Sequence, residues 1–538
     1  METKRLILFV VFSFALLLLW DSWQQKQLQN ELALNNAELA EFDSSDYDSS
    51  SSNLSDSDYS LQSDQKISID TPLYRAEINT VGADLRKLKL KNFQNDNKDG
   101  FYELFNDEGS SFLYIAQSGL IGDNLPDHKM IFKSEQLSYE LIDRDLSVPL
   151  TFENDDVKVV KTYIFSSENY QVKLVTSITN KSNTSIQPKI YYRLLHDHKS
   201  AQKSGLMPTF TGISYYTKEN NFSKLDFDDL DEKKHKVILD SNNGWIGIIQ
   251  RYFASAWIIP GDTSRQFTAK SVSDNISYAG VRANLSIIES GSSAEVSSIL
   301  YAGPQLKKQL LKAAPGMDLT VDYGVLTFIA SPLFSLLSGI QKLVHNWGVS
   351  IILLTLVIKI FFYPLSASSY RSMAQLKEVA PRLQSMKEKF GDDKQKMQQA
   401  MMELYKTEKI NPLGGCLPIL IQIPVFIALY WVLLGAVELR QAPFFGWITD
   451  LSVKDPLYIL PILMAASMFL QQKLNPKPTD PTQARLMMMM PIIFSIFFFF
   501  FPAGLVLYWF INNVLSMMQQ WYVNKQIHAS AMKKKGNG

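Results

Sequence analysis

Long apolar runs and short alternating ones divide the chain into three parts. An apolar run covers Leu6–Trp20, residues 35–310 show the mixed polarity of a soluble domain, and residues 345–522 carry repeated apolar runs. A helix needs about 20 apolar residues to cross a bilayer. The pattern therefore predicts a membrane anchor, a soluble domain and a membrane-embedded helical region, in that order.

The first apolar run has the polarity of an export signal. Lys4 and Arg5 precede it and Asp21 ends it, so its positive end is expected to stay in the cytoplasm. A cleaved signal peptide needs a small-x-small site just after the run, and the residues after Trp20 supply none. An uncleaved signal-anchor over residues 1–24 is favoured over a cleaved signal.

A polar tether is predicted next, over residues 25–65. Residues 43–64 are nearly all Ser and Asp, and such a composition cannot bury enough apolar surface to offset the entropy of ordering. The tether is therefore expected to be disordered and to separate the anchor from an exported folded domain.

The domain predicted over residues 66–312 is mostly β. Val157–Phe165 and Tyr170–Ile178 alternate between apolar and polar positions, and the residues between them form a turn, which predicts a hairpin. Clusters of Gly, Asn and Asp recur between further short apolar runs. We expect a large exported β-sandwich.

This domain offers little chemistry. His196-Asp197-His198 is a candidate pair of metal ligands with a carboxylate, but a surface turn is the favoured interpretation. The chain has one cysteine, so no intramolecular disulfide is possible. Basic and acidic residues balance at 53 each, which points to no nucleic-acid partner. No catalytic residue, metal site or cofactor is predicted.

The last third of the chain is predicted to be helical and membrane-embedded. Residues 313–346 form a linker and an interfacial helix, because apolar residues recur there at helical spacing. Those residues are Leu333, Leu336, Leu337, Ile340 and Val344. Five spans are then predicted, at residues 347–365, 417–437, 456–470, 486–501 and 503–520.

The last two spans come from one apolar run. A single helix over residues 486–518 would be about 50 Å long, too long for a hydrocarbon core of about 30 Å. Pro502-Ala503-Gly504 interrupts the run, so two short spans joined by a tight turn are expected.

The distribution of positive charge supports this count. Residues 366–411, which show the pattern of a helical hairpin, contain nine Lys or Arg, and the tail over 523–538 ends on Lys533–Lys535. Both segments are cytoplasmic under the positive-inside rule only if residues 486–518 cross twice. Together with the anchor this predicts six spans, with both termini in the cytoplasm.

Polar residues inside the spans are the candidate site. Lys359 places a charge in an apolar helix at a cost of about 2.5–3.5 kcal/mol, and Thr355 lies one turn earlier on the same face. Gln422, Asn512 and Asn513 are further polar residues within spans. Together they are predicted to line a wet groove. The alternatives are that Lys359 reaches the headgroups along its stem and that the others bond between helices.

Several spans are rich in soft apolar side chains. Met487–Met490 and Phe497–Phe501 offer adaptable surface for different hydrophobic segments, although lipid-facing filler would look the same. Pro418 and Pro424 are expected to kink the second of the five spans or to disturb its backbone bonding.

Longer motifs carry a resemblance to a known family. The segments that carry it are Asp318–Gly324, Asn411–Cys416 with Pro418 and Gln422–Pro424, Val437–Phe444, Phe501–Tyr508 and, in the exported domain, Gly244–Ile246 and Gln250–Ala254. On these motifs the chain resembles the YidC family, in the form that has a large periplasmic domain.

The resemblance implies a membrane protein insertase of the inner membrane, with a five-helix core and a periplasmic β-sandwich. A positive residue in a hydrophilic groove attracts the acidic exported tail of a substrate, and the substrate's apolar segment slides along two spans into lipid. The residues implied for this sliding surface are Ile423, Pro424, Phe497, Pro502 and Trp509. The family usually has Arg where this chain has Lys359. Lys keeps the charge but lacks the bidentate fork.

The implied partners are nascent membrane proteins, the Sec translocon, the lipid bilayer, and ribosomes bound through basic segments such as Lys533–Lys535. The resemblance implies no nucleotide, no cofactor and no enzymatic activity. The alternative function is a secondary transporter that uses Lys359 as an intramembrane site. Transporters of that kind usually show more spans and internal repeats, and the sequence shows no repeat.

Overall fold

The computed structural model describes residues 65–107, 112–142, 144–198, 210–231, 237–273, 275–390, 393–408, 417–474 and 481–536. The described residues divide into two compact units, one within Ser22–Val321 and one within Asp322–Gly538. The predicted anchor and nearly all of the predicted tether lie outside the described residues.

The first unit consists, in its described residues, of two sheets and two short helices. The strands are β1 Lys66–Asp70, β2 Tyr74–Asn79, β3 Asp84–Gln94, β4 Phe101–Phe105, β5 Tyr114–Ile121, β6 Ser138–Glu140, β7 Asp145–Glu153, β8 Val157–Ser166, β9 Gln171–Asn180, β10 Lys189–Asp197, β11 Gly212–Thr217, β12 Asn221–Asp226, β13 Val237–Ser241, β14 Trp245–Ile249, β15 Phe253–Ile258, β16 Arg265–Ser273, β17 Ile276–Asn284 and β18 Ser293–Pro304. The helices are α1 Phe227–Asp231 and α2 Lys307–Ala313. One sheet has the order β13-β16-β17-β10-β5-β3-β2-β1-β6 with β4 paired to β3, and the other has the order β12-β11-β14-β15-β18-β9-β8-β7.

The hairpin predicted from alternation is confirmed. Strands β8 and β9 pair antiparallel, with Val157 opposite Asn180 and Phe165 opposite Val172. The odd-numbered residues of β8 from Val157 to Phe165 are buried, and the residues between them are more exposed. Alternation predicts such a strand because successive side chains point to opposite faces of a sheet.

The two sheets pack face to face around a core that contains charged groups. Lys161 of β8 donates from Nζ to the carbonyl oxygens of Gly82 and Ser118, each at 2.7 Å, and Ser118 lies on β5 of the other sheet. Trp257 of β15 donates from Nε1 to the Arg193 carbonyl oxygen of β10 at 3.2 Å. These bonds satisfy polar groups that would otherwise be costly to bury.

The two histidines of the His196-Asp197-His198 motif are buried, so their interpretation as a surface turn is wrong. His196 lies in β10, its ring stacks on Phe227 with centroids 5.4 Å apart, and the ring of His198 stacks on the same side chain at 4.8 Å. In the described part of the chain no three His, Cys, Asp or Glu side chains come together in a way that suits a metal ion. The motif therefore contributes to packing against α1.

Two buried histidines make this unit sensitive to acid. Burial and then the neighbouring Arg193 charge lower the pKa of His128 to about 2, and burial and then His198 lower the pKa of His196 to about 3. Below about pH 6.5 the unfolded chain takes up protons that the folded unit excludes. The contribution of these two groups to the free energy of unfolding is therefore fully present above pH 6.5. It is lost as pH falls, by up to about 1.4 kcal/mol per pH unit for each group.

We expect His128→Gln to halve this slope between pH 6.5 and pH 4.5, because His196 still contributes. Glutamine can accept from Arg193, whose Nη2 lies 2.9 Å from His128 Nε2, and donate to the Tyr191 hydroxyl. The measurement is denaturant unfolding of the full chain in detergent, followed by tryptophan fluorescence, to which the buried Trp245 and Trp257 of this unit contribute beside the other seven Trp of the chain. An unchanged slope would show that His128 does not carry the acid sensitivity.

The second unit is helical in the residues described. Its helices are α3 Thr327–Val344, α4 Trp347–Phe361, α5 Tyr363–Phe390, α6 Lys394–Thr407, α7 Leu417–Gly435, α8 Ile459–Leu474, α9 Pro481–Phe498 and α10 Ala503–Gly536. Helices α5 and α6 form the predicted hairpin, in which Val379 and Leu383 pack against Met401, Leu404 and Tyr405. The break at Pro502 is also where expected, since α9 ends before it and α10 begins after it.

The helix boundaries differ from the predicted spans in two instructive places. Helix α4 ends at Phe361, not at residue 365, and the chain bends by 68° into α5. In a continuous helix Pro364 would lack the amide that bonds to the Ile360 carbonyl and its ring would clash with that group, whereas a proline is tolerated in the first turn of a new helix. Helix α10 continues to Gly536, so the predicted basic tail is helical over residues 523–536.

Length and apolar composition single out few helices as membrane-crossing. Among the described helices, α3 alone is by itself long and apolar enough to cross a membrane. Helices α4 and α5 meet this criterion together, as a bent pair, and three further apolar helices are shorter. The shorter ones are Gln422–Gly435, Ile459–Leu474 and Met488–Phe498. The six predicted spans, and the interfacial position predicted for α3, therefore stay predictions.

Candidate functional site

Helix α10 presents a buried polar stripe to the interior of the helical unit. Tyr508, Asn512, Ser516 and Gln520 recur every four residues, so they lie on one face, and all four are buried. Such a stripe is costly to bury unless partners on other helices satisfy it. Lys359 of α4 is the partner of Ser516, and Gln422 of α7 is the partner of Tyr508.

Lys359 is held by α10 at two points. Its Nζ donates to Ser516 Oγ at 2.8 Å, and its backbone carbonyl oxygen accepts from Gln519 Nε2 at 3.1 Å. The second bond is needed because Lys359 lies in the last turn of α4, where carbonyl groups lack partners within the helix. The side chain is 8 % exposed, and none of the described carboxylates forms a salt bridge with it.

A recess opens beside this ammonium group. Its cavity volume is about 20 Å³, room for about one water molecule, and it is open on one side. Its lining residues are Ile358, Lys359, Phe362, Leu365, Ser366, Gln422 and Val425. The recess therefore combines one cation, two neutral polar side chains and an apolar wall.

The other predicted groove residues are placed differently. Gln422 lines the recess and its Nε2 donates to the Tyr508 hydroxyl. Asn513 donates to Ser467 Oγ of α8 at 3.2 Å, away from the recess lining. Thr355 is fully buried and its hydroxyl donates to the Ile351 carbonyl oxygen of its own helix, so it does not line the recess.

Asn512 lies between the two cross-helix contacts of α10. It is one turn after Tyr508, which accepts from Gln422, and one turn before Ser516, which accepts from Lys359. Its Oδ1 is buried and accepts no hydrogen bond from the described residues. Asn512 thus leaves an acceptor on the same face as the two contacts.

The opposite end of α4 is covered by the loop between α7 and α8. Asn346 caps α4 by accepting from the Val349 amide, and its Nδ2 donates to the Phe444 carbonyl oxygen at 3.0 Å. Gly348 leaves room for the Phe444 ring, because a Cβ there would lie 2.0 Å from a ring carbon. Gly348 precedes Lys359 by eleven residues, or about 16 Å along the helix axis. The recess and this loop therefore lie at opposite ends of α4.

The residues predicted for a sliding surface are partly exposed. Ile423 is 45 % exposed and Phe497 is 50 % exposed, whereas Pro424, Pro502 and Trp509 are half-buried. The Trp509 ring packs edge-on against Phe426 with centroids 4.5 Å apart. Helices α7 and α9 thus expose apolar side chains.

Sequence reasoning missed Ser516, Tyr508 and Ser366. Ser516 and Tyr508 each lie four positions from Asn512, so the helical period gave a signal that these polar residues share one face. Ser366 lies beyond the bend after α4 and carried no comparable signal, because the predicted span ended at residue 365 and Ser366 was assigned to the hairpin over residues 366–411.

Comparisons with known proteins agree along the chain. The family described as "60Kd inner membrane protein" matches residues 339–531, and the family described as "YidC periplasmic domain" matches residues 66–336. A membrane protein insertase YidC from Methylobacillus flagellatus is 52 % identical over 551 residues and covers all of both chains. One from Aromatoleum aromaticum is 44 % identical, with 98 % of each chain covered.

Among solved structures, a crystal structure of an active YidC insertase covers 86 % of this chain and 93 % of its own, with 16 % identity and a TM-score of 0.40. The relatives that match along the whole length are membrane protein insertases. The chain therefore belongs to the YidC family of membrane protein insertases, with a β-rich periplasmic domain followed by a helical insertase unit.

Proposed function

We propose that the recess beside Lys359 receives the polar exported tail of a membrane protein during its insertion. The observation that carries this proposal is a buried ammonium group at a recess, with no carboxylate among the described residues to neutralise it. A buried charge without a counter-charge is costly, and an acidic substrate group entering the recess would offset that cost.

The hydrogen-bonding capacity of Lys359 fits such a ligand. An ammonium group has three donors, and Ser516 is its one described acceptor, so two donors remain for the substrate. Hydrogen bonds between an ammonium and a carboxylate are stronger than neutral ones. Gln422 adds an amide to the same lining, which suits a polar tail in extended conformation.

The apolar segment of the substrate would follow the exposed side chains of α7 and α9. Ile423 and Phe497 are the most exposed of the residues predicted for the sliding surface. The other three, Pro424, Pro502 and Trp509, are half-buried. Burial of an apolar segment in lipid drives its transfer, so these contacts need only guide it. Thr355, Asn512 and Asn513 are proposed to support the polar face around the recess.

The proposed topology follows from charge. The hairpin α5–α6 and the end of α10 carry most of the positive charge of the helical unit, so they are placed in the cytoplasm with both termini. The loop between α7 and α8 and the β-rich unit are then periplasmic, and six spans cross the inner membrane. The recess at the C-terminal end of α4 opens on the cytoplasmic side in this arrangement.

Nascent membrane proteins are the substrates that the family implies. We propose two further partners, the Sec translocon and the ribosome, the latter bound through exposed basic residues. Arg371, Lys377 and Arg382 on the hairpin are exposed, and Arg382 forms a surface ion pair with Glu408. Lys533–Lys535 add positive charge at the end of the chain.

Reconstitution tests the proposed function. The purified chain in proteoliposomes is expected to insert a single-span protein with a short acidic tail faster than the same protein with Asn and Gln in the tail. Protection of the tail from added protease measures insertion. Equal insertion of both tails would contradict the role of the recess. Uptake of small solutes with no insertion would favour a transporter instead.

A further inference from the structure

We infer that Ser516 is a positioning residue, which holds the Lys359 ammonium at the recess. This inference rests on the proposed function and adds the residue that fixes the position of the charge. Ser516 and Lys359 are 157 positions apart in the chain, yet Nζ and Oγ lie 2.8 Å apart between α4 and α10. Both side chains are buried, at 4 % and 8 % exposure.

The Ser516 hydroxyl is oriented to accept from an ammonium group. Its Oγ lies 2.7 Å from the Asn512 carbonyl oxygen, which can only accept, so the single hydroxyl hydrogen is committed to that bond. The lone pairs are then left to accept from Lys359 and from the buried Tyr370 hydroxyl of α5, which also contacts Ser516. The result is a fixed chain from the ammonium through the hydroxyl to the backbone of α10.

Without this acceptor the ammonium has another place to go. The four-carbon stem of a lysine is flexible, and near the end of a helix it can carry the charge to the headgroup region. Lys359 lies in the last turn of α4, so the move is short. Gln519 fixes only the backbone of Lys359, and Ser516 is the described residue that fixes its charged end.

The consequence is specific to charge. If Ser516 is removed, the ammonium is expected to spend less time beside the recess, and acidic tails lose part of their attraction. Neutral tails gain nothing from the ammonium, so their insertion is expected to be unchanged. A residue that only packs helices would instead affect both kinds of tail.

The test compares initial insertion rates of an acidic-tailed and a neutral-tailed single-span protein in proteoliposomes. Ser516→Ala is expected to lower the ratio of these rates about fivefold, because hydrogen bonds to charged groups are among the stronger ones. Ser516→Thr keeps the hydroxyl and is expected to stay within about twofold of the parent ratio. Ser350→Ala is the matched control, since Ser350 is buried on α4 and bonds only the Asn346 carbonyl oxygen.

A second background separates positioning from packing. In Lys359→Met, which keeps the stem and removes the charge, Ser516→Ala is expected to change the ratio no further. Three results would each overturn the inference. The ratio falls again in that background, the loss is equal for both tails, or Ser516→Thr behaves as Ser516→Ala does. If Ser516→Ala does not accumulate, Ser516→Cys replaces it, because a thiol is a weak acceptor.

The failure of this inference is distinguishable from failure of the proposed function. If Lys359→Met collapses the ratio and Ser516→Ala leaves it unchanged, only the role of Ser516 falls. If Lys359→Met itself leaves the ratio unchanged, the ammonium does not attract acidic tails and both fall together.

Discussion

Lys359→Glu is expected to slow the insertion of acidic-tailed proteins by about a hundredfold, and Lys359→Ala by about tenfold. Two opposite charges 4 Å apart attract by about 4 kcal/mol at an effective dielectric constant of 20, and water in the recess reduces this. A loss of about 1.4 kcal/mol is a factor of ten. Glutamate adds repulsion to the lost attraction, so its effect is larger.

Lys359→Arg is expected to retain insertion within about threefold. Its guanidinium keeps the charge and brings five donors, which suits both Ser516 and a carboxylate. Retention of activity in Lys359→Arg together with loss in Lys359→Ala would show that charge, and not the shape of the side chain, is what the recess requires.

The measurement is the initial rate of tail protection in proteoliposomes at matched protein amounts. Lys342→Ala is the control, because Lys342 is an exposed lysine of α3 in the same unit and does not line the recess. Strongly apolar substrates with neutral tails are expected to insert at the parent rate in every variant. If all Lys359 variants insert acidic tails equally, the lysine merely reaches the headgroups and the apolar surfaces drive insertion.

The sequence predicted best those features that depend on neighbouring residues. Alternation over Val157–Phe165 predicted β8, and the helical spacing of Met373, Leu376, Val379 and Leu383 predicted one arm of the α5–α6 hairpin. In both cases the period of the secondary structure appears directly in the sequence. The break at Pro502 was predicted for the same reason, because a proline disrupts a helix locally.

The contacts that make the site depend on packing and were not predictable in the same way. Nothing in the sequence pairs Lys359 with Ser516, since their proximity follows from how α4 packs on α10. Nor does spacing decide whether Thr355 turns its hydroxyl to a groove or to its own helix, and the structure shows the second. His196 shows a missed signal: it follows the mostly apolar run Ile190–Leu195, and a short run of that kind is typical of a strand buried on both faces.

Asp455→Ala is expected to lower the free energy of unfolding of the helical unit by about 3 kcal/mol or more. The carboxylate is 1 % exposed and accepts from Trp447 Nε1 at 3.0 Å, from the Leu457 amide at 3.0 Å and from the Leu460 amide at 2.8 Å. Removing it leaves three donors without their acceptor, the buried Leu460 amide and two part-buried ones, and each buried loss costs about 1–3 kcal/mol. It also removes a negative charge from the N-terminal end of α8, where the helix dipole favours one.

The measurement is thermal unfolding in detergent, followed by tryptophan fluorescence. The same loop offers a matched control. Asp450 is also buried, but it accepts only from the amide and hydroxyl of Ser452, two residues away. Asp450→Ala is therefore expected to cost about 1 kcal/mol, since the loss stays within one turn. The loop also binds the start of α10, where the amides of Ala503 and Gly504 donate to Val453 and Leu451. Loosening the loop should raise protease cleavage in residues 437–458 for Asp455→Ala alone. Equal effects of Asp455→Ala and Asp450→Ala would show that Asp455 does not organise this end of the unit.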